Sequence, residues 1–211
     1  MRAVQITRLD GPDAVQVVEL DEPDANGAVL VDVYAAGVAF PDALLTRGLY
    51  QHKPEPPFVP GAEVAGVVRS APPDAQVSAG DRVAALTLLT GGMAEVVALP
   101  AEQVFTLPDA VSLQAGAGLL FNDLTVHFAL VQRGRLAAGE TVLVHGAAGG
   151  IGTSALRLAP ALGAQRTIAV VSTPEKADIA RAAGATDVVA ADGFRDAVRE
   201  LTSGRGVDIV V

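Results

Sequence analysis

The sequence predicts an α/β chain in two parts. A mostly β N-terminal part, a small barrel or sandwich, precedes a doubly wound parallel sheet that stops after four strands. Three observations carry this. Short strand-like runs, separated by Gly, Pro, Asp and Asn turn signals, recur through residues 1–110. From residue 139 on, strand-like and helix-like segments alternate, the pattern of a parallel sheet with crossover helices. Where the alternation begins, Thr141 to Gly163 (TVLVHGAAGGIGTSALRLAPALG) joins an apolar run to a helical pattern through a tight cluster of glycines.

In chain order, the first strands are expected at Ala3–Ile6, Val15–Leu20 and Ala28–Val33, and Pro41–Arg47 is a short helix. Gln51–Pro57, QHKPEPP, is too rich in proline for regular structure and reads as an exposed loop. Glu63–Arg69, Arg82–Leu86, Ala94–Ala98 and Gln103–Phe105 continue the strand series, which places a first domain at residues 1–115. Residues 111–134 change character, and residues 116–138 read as linking helices. Ser112 caps one short helix. Asn122 or Asp123 caps a second, with Val126, Leu130 and Val131 on one face, His127 beside them and Gly134 as its stop.

Residues 139–211 form the second domain. Val142–Val144 is short enough for a buried strand. Gly146, Gly149, Gly150 and Gly152 follow, and then Ala155, Leu158, Ala159 and Leu162 recur at helical spacing, with Pro160 inside the helix. Strand, glycine turn and helix is the context in which a glycine fingerprint cradles a pyrophosphate. Bare backbone approaches the phosphates there, and the helix N-terminus presents free N–H groups and partial positive charge. The spacing is GxxGxxG rather than GxGxxG. A second apolar run, Thr167–Val171, ends about where the acidic ribose ligand of a dinucleotide fold is expected, and the residue there is Ser172, followed by Thr173, Pro174, Glu175 and Lys176. An acid would bind a ribose 2′-hydroxyl and repel a 2′-phosphate; a hydroxyl with a cation one turn on suits the phosphate, and so NADPH (NADP+) rather than NADH. In the competing reading Ser172 caps the next helix, Pro174 opens it and Lys176 is solvated. The remaining elements are a helix at Pro174–Ala183 stopped by Gly184, a strand at Asp187–Val189, a helix at Phe194–Leu201 capped by Asp192, and a strand at Val207–Val211. A full dinucleotide fold has six strands, so the sequence reads as a fragment with an apolar edge at Val207, Ile209, Val210 and Val211.

The chain has 211 residues, half of them hydrophobic, and a formal net charge of −9. Its scattered Lys and Arg form no footprint for nucleic acid. It has no cysteine, which excludes disulfides, thiolate nucleophiles and Cys-ligated metals, and its three histidines, His52, His127 and His145, lie far apart. Neither a signal peptide nor a membrane-length apolar run is visible, and a cytoplasmic protein without membrane partners is the expectation.

Five segments together carry a family resemblance: AAGVAFPDALLTRGLY at 35–50, PFVPGAEVAGVV at 57–68, AGDRVAAL at 79–86, AGAGLLFNDLTVHFAL at 115–130, and VLVHGAAGGIGTSALRLAPALGA from 142. In this combination the chain resembles the medium-chain dehydrogenase/reductase superfamily, in its zinc-free quinone oxidoreductase (ζ-crystallin-like) branch. The resemblance implies a GroES-like β-barrel followed by a Rossmann domain, here truncated after its fourth strand, with the active cleft between them. It also implies a small-molecule substrate and a homodimer; relatives often pair through Rossmann edge strands that this sequence lacks, so an altered association through the exposed fourth strand is the expectation. Where zinc alcohol dehydrogenases carry a Cys after Gly-Val, this chain has Ala39; where they carry Gly-His-Glu, it has Gly61, Ala62 and Glu63. Of the quinone-reductase pattern G-V-N-F-x-D-x-x-x-R-x-G-x-Y, Gly37, Val38, Phe40, Asp42, Gly48 and Tyr50 are kept; Ala39 replaces its Asn, and Arg47 stands one place after its Arg. By resemblance, Phe40 packs near the nicotinamide, Thr125 lies near its carboxamide with Asn122 close by, and Ala148, Gly149, Gly150 and Ile151 face the pyrophosphate. Ser172 and Lys176 take the 2′-phosphate. Tyr50 matches a proton donor of related enoyl-thioester reductases, against the plainer reading of an aromatic lining the cleft. Glu63 and Asp42 read as structural carboxylates, Arg47 as the partner of a carboxylate, and His145 as strand-end filler. The leading expectation is an NADPH-dependent, zinc-independent reductase of quinones or other conjugated carbonyls. An enoyl-thioester (acyl-CoA or acyl-carrier) reductase and a nucleotide-binding fragment without turnover are the alternatives.

Overall fold

The computed structural model describes residues 1–211, and the chain divides after Phe121 into two compact units. In the first, β1 (Arg2–Ile6) pairs antiparallel with β2 (Val15–Glu19). β3 (Val29–Ala36) is followed by α1 (Phe40–Leu45), β4 (Glu63–Ser70), β5 (Arg82–Leu86), β6 (Val96–Leu99) and β7 (Val104–Thr106). The five strands β3 to β7 form an antiparallel sheet in the order β6-β3-β4-β5-β7. Single bridges, Ala3 to Ala94 and Ile6 to Phe58, tie the two-stranded ribbon to loops of this unit. Val29, Val31, Val64, Val68, Val83 and Val97 supply the buried core. They are β-branched residues that fit a pleated, half-buried surface. Residues 51–57 form no helix or strand, as the proline content requires.

Two buried carboxylates hold the joints of this unit. Asp42 accepts from the N–H of Ala39 at 2.8 Å and of Gly61 at 3.1 Å, fixing the start of α1 to the turn before β4. Burial pushes its carboxyl above the usual aspartate range, and those two N–H groups pull it back. Ser112 caps α2 (Leu113–Gly116) by accepting from the N–H of Ala115, as its position predicts. The next helix departs from expectation. α3 (Leu120–His127) starts before Asn122 and Asp123, which are therefore not its caps. Glu63, 3% exposed, accepts from the N–H groups of Leu120 at 2.8 Å and Phe121 at 2.9 Å. A cap supplied from 57 residues away in sequence leaves no local signal. Glu63→Ala strands one buried and one part-buried N–H group and is expected to lower stability by roughly 2–3 kcal/mol, read by urea denaturation; Glu63→Gln, which keeps one acceptor oxygen, should lose less. Arg47 makes no ion pair; its guanidinium lies across Gly11 instead of meeting a carboxylate.

In the second unit, a six-residue π-helical segment, Phe128–Arg133, continues α3 and ends at Gly134. Val126 and Leu130 remain fully buried along it. Then come β8 (Thr141–Val144), α4 (Gly150–Ala161), β9 (Arg166–Val171), α5 (Pro174–Ala182), β10 (Asp187–Ala190), α6 (Phe194–Leu201) and β11 (Ile209–Val210). The sheet is parallel throughout, in the order β10-β9-β8-β11. Side chains alternate between its faces. Val142, Val144, Ala169 and Val171 pack with Ala155, Leu156, Ala159 and Ala180 of α4 and α5, while Leu143, Ile168 and Val170 pack with Val198 of α6. Both faces are covered by helices, which is why these strands read as unbroken apolar runs. β11 is narrower than predicted, although flanking bonds from Asp208 N–H to Thr141 O and from Val211 N–H to Leu143 O extend the pairing. α6 is not capped by Asp192: its N-cap is Gly193, at φ 71°, a left-handed backbone that glycine adopts freely. No helix is long and apolar enough to cross a membrane.

Candidate functional site

The C-terminal ends of β8 and β9 open into a cleft of about 400 Å³, lined by His145, Gly146 to Gly149, Val170, Val171, Ser172, Lys176 and Ala191. In a parallel sheet this is the edge toward which helix N-termini point, and ligands bind there where the strand order reverses. β8 is that point here, with β9 on one side and β11 on the other. The chain leaves β8 through Gly146, at φ 56°, and turns tightly, with the N–H of Gly149 bonded to the carbonyl of Gly146 at 2.8 Å. α4 then starts with Gly149 as its N-cap and no side-chain cap. The first-turn N–H groups of a helix have no intrahelical acceptor, so this start presents bare donors and the positive end of the helix dipole. Gly152 seats α4 against the turn: a Cβ there would lie 2.4 Å from the carbonyl oxygen of Gly146 and 2.6 Å from Cα of Ala147.

At the far side of the cleft, the ammonium of Lys176 donates to the hydroxyl of Ser172 at 3.0 Å. Thr173, not Ser172, is the N-cap of α5, accepting from the N–H of Lys176, so Ser172 is not needed for capping. Lys176 is the only charged side chain lining the cleft. Bare N–H groups at one end and a cation with a hydroxyl at the other suit a ligand with separated anionic groups. His145 lines the same cleft, its ring meeting that of Phe194 edge to face at 4.9 Å between centroids.

The structure thus brings Ala148 and Gly149 together with Ser172 and Lys176. Gly150 and Ile151 form the first turn of α4, with Ile151 partly exposed. Asn122 of α3 lies against that turn: a Cβ on Gly150 would stand 2.7 Å from the Asn122 amide nitrogen. Thr125, one turn further along α3, is exposed. Asp123, which sequence reasoning treated only as a candidate cap, accepts from the hydroxyl of Ser154 and from the guanidinium of Arg157, both on α4. Its partners lie 31 and 34 residues away, too far for a sequence pattern. Phe40 and Tyr50 belong to the first unit. Phe40 opens α1 and is 75% exposed; Tyr50 is half-buried just beyond α1, its hydroxyl bonded to no group of the chain. That unit has a groove of its own, about 330 Å³ beside Tyr34, Val38 and Met93, whose charged groups Arg2 and Glu95 are already paired at 2.7 Å.

Residues 25–109 match the family of alcohol dehydrogenase GroES-like domains, and residues 150–211 match the family named zinc-binding dehydrogenase. A probable oxidoreductase from Mycobacterium abscessus is 46% identical in sequence, with a TM-score of 0.95 over all of this chain and 68% of its own. The chain belongs to the medium-chain dehydrogenase/reductase superfamily. Within that superfamily it falls in the quinone oxidoreductase branch. Human quinone oxidoreductase is 31% identical over 216 residues that span this whole chain. The quinone oxidoreductase of Thermus thermophilus, also solved as a complex with NADPH, is 37% identical with a TM-score of 0.84. This superfamily member spans 65% of the length of each of these last two relatives. The antiparallel first unit is its GroES-like barrel, and the parallel sheet is a partial Rossmann domain, as the sequence predicts.

Proposed function

We propose that the chain serves as an NADPH-dependent, zinc-independent cytoplasmic oxidoreductase that passes hydride to a quinone or another conjugated carbonyl. The observation that carries the cofactor reading is the Ser172–Lys176 pair at the end of β9, in a cleft with no acidic lining residue. A carboxylate at that strand end would select the ribose 2′-hydroxyl; a hydroxyl and an ammonium select a 2′-phosphate. The glycine turn and the start of α4, Ala148 to Ile151, hold the pyrophosphate through backbone N–H groups. Asn122 and Thr125 on α3 are assigned to the nicotinamide, as the family resemblance implies. The names of the human and Thermus relatives, and the NADPH complex of the latter, support the reading. Zinc independence rests on ligand chemistry: Ala39 and Ala62 offer no donor atoms where zinc enzymes carry Cys and His, and the chain has no cysteine.

When bound, the dinucleotide supplies the hydride. The chain's own residues supply orientation: the helix start and Lys176 fix the anionic groups, and the apolar β8 and β9 ends exclude water from the cleft floor. A quinone can draw its protons from water, so no dedicated acid is required. An enoyl thioester requires a proton donor at the second carbon. The unbonded hydroxyl of Tyr50 favours that as the second reading.

Fluorescence titration with NADPH and NADH is the first test, followed by NADPH oxidation in the presence of p-benzoquinone or a crotonyl thioester. Preferential binding of NADPH and turnover of the quinone are the expected results; equal binding of both nucleotides would contradict the cofactor assignment. Tyr50→Phe is expected to leave quinone reduction unchanged. Thioester reduction that depends on the Tyr50 hydroxyl would instead favour the second reading.

A further inference from the structure

The Asp123 carboxylate is the one acidic group that grips the helix of the glycine turn from outside. It is 17% exposed, and it accepts from the Ser154 hydroxyl and, at 3.0 Å, from Nη2 of Arg157. Ser154 is completely buried within α4, so its hydroxyl needs an acceptor. Ser154 and Arg157 are three apart and share one face of the helix, so Asp123 holds two successive turns of it. The residue before Asp123 is Asn122, whose amide lies against Gly150 at the first turn of the same helix. The carboxylate therefore fixes the register of α3 along α4, and with it where the Asn122 amide stands over the helix start.

The cleft that holds Ser172 and Lys176 ends at Gly149, and Asn122 stands beyond, against Gly150. A dinucleotide with its 2′-phosphate at Lys176 and its pyrophosphate on the glycine turn must run its second nucleotide past Gly150, toward the β11 side of the switch point. We propose that Asp123 is a positioning residue for that second half of the dinucleotide, acting through Asn122 and through the placement of α3 on α4. The inference rests on the dinucleotide reading above. A staple that served stability alone would predict something different: loss of Asp123 would lower the melting temperature and leave the balance between the two halves of the ligand unchanged.

The experiment compares NADPH with adenosine 2′,5′-bisphosphate, which carries the adenine, the 2′-phosphate and one 5′-phosphate but no nicotinamide. The variants are Asp123→Asn, which keeps an acceptor for Ser154 but drops the charge facing Arg157, and Asp123→Ala combined with Ser154→Ala, which leaves no buried hydroxyl unpaired. In titration calorimetry the double variant should bind NADPH about tenfold more weakly, the scale of one lost hydrogen bond, with the bisphosphate unchanged. Asp123→Asn, which folds with its α4 contact partly intact, should show the same selective loss to a smaller degree. Equal weakening of both ligands, or weakening of neither, overturns the proposal. If the unsubstituted chain binds the bisphosphate as tightly as NADPH, the second half makes no contact to position and the proposal falls, with the 2′-phosphate site intact. If it binds neither, the dinucleotide reading itself falls.

Discussion

Lys176→Glu is expected to reverse the nucleotide preference, weakening NADPH by about a hundredfold while NADH binding holds or improves. The ammonium sits 3.0 Å from the Ser172 hydroxyl, at the strand end that faces a ribose in a dinucleotide fold. Substitution removes an attraction for a 2′-phosphate and adds a repulsion. The carboxylate would also be placed to accept from a ribose 2′-hydroxyl. Folding should be unaffected, because Lys176 is exposed and an acid in the first turn of α5 complements the helix dipole. Paired fluorescence titrations read the outcome directly. An unchanged preference would mean that the 2′-phosphate is not read at this strand end.

Gly152→Val should be the most damaging single substitution in the second unit. A Cβ at position 152 falls 2.4 Å from the Gly146 carbonyl and 2.6 to 2.7 Å from the backbone of Ala147, and none of these atoms is the end of a flexible side chain. α4 must then lift from the turn, at a cost of about 3 kcal/mol or more, equivalent to roughly 6–12 °C in melting temperature. The same displacement swings the first-turn N–H groups away from the glycine turn, so nucleotide binding should be lost along with stability. Gly118→Ala is the control, since a Cβ there meets only the Ala115 carbonyl at 4.0 Å, and its melting temperature should stay near that of the parent. A melting curve for Gly152→Val close to the parent's would mean that the helix start is not packed against the turn.

What could be read in the sequence follows how far apart the interacting residues lie along the chain. Ser172 and Lys176 are one helical turn apart, so their meeting was legible from spacing alone. The glycine turn and the strand–helix alternation are local patterns of the same kind, and so is the Ser112 cap. Elements capped or clamped from a distance were misread or missed. Sequence pattern places the start of α3 too late because its acceptor, Glu63, sits on a strand far earlier in the chain; Glu63 reads from the sequence only as a structural carboxylate, and the fold makes it the cap. Asp192 has the composition of a helix cap, but the left-handed turn at Gly193 takes that position. Arg47 was paired with a carboxylate that the fold does not bring to it, and Asp123 gained its role only when α3 and α4 came together.

Position 149 sets stability against recognition. The backbone there is extended, at φ −84° and ψ 175°, so nothing in its dihedral angles demands glycine; only a 3.2 Å approach of a Cβ to the Gly146 carbonyl would need to relax. A serine or aspartate at an N-cap stabilises a helix by about 1 kcal/mol. Such a side chain would spend on itself the donors that an anion would otherwise receive, and an aspartate would oppose the anion's charge as well. Leaving α4 uncapped thus keeps the protein below its attainable stability and makes its ligand the missing end of a helix, so that part of any binding energy measured here is energy of secondary structure.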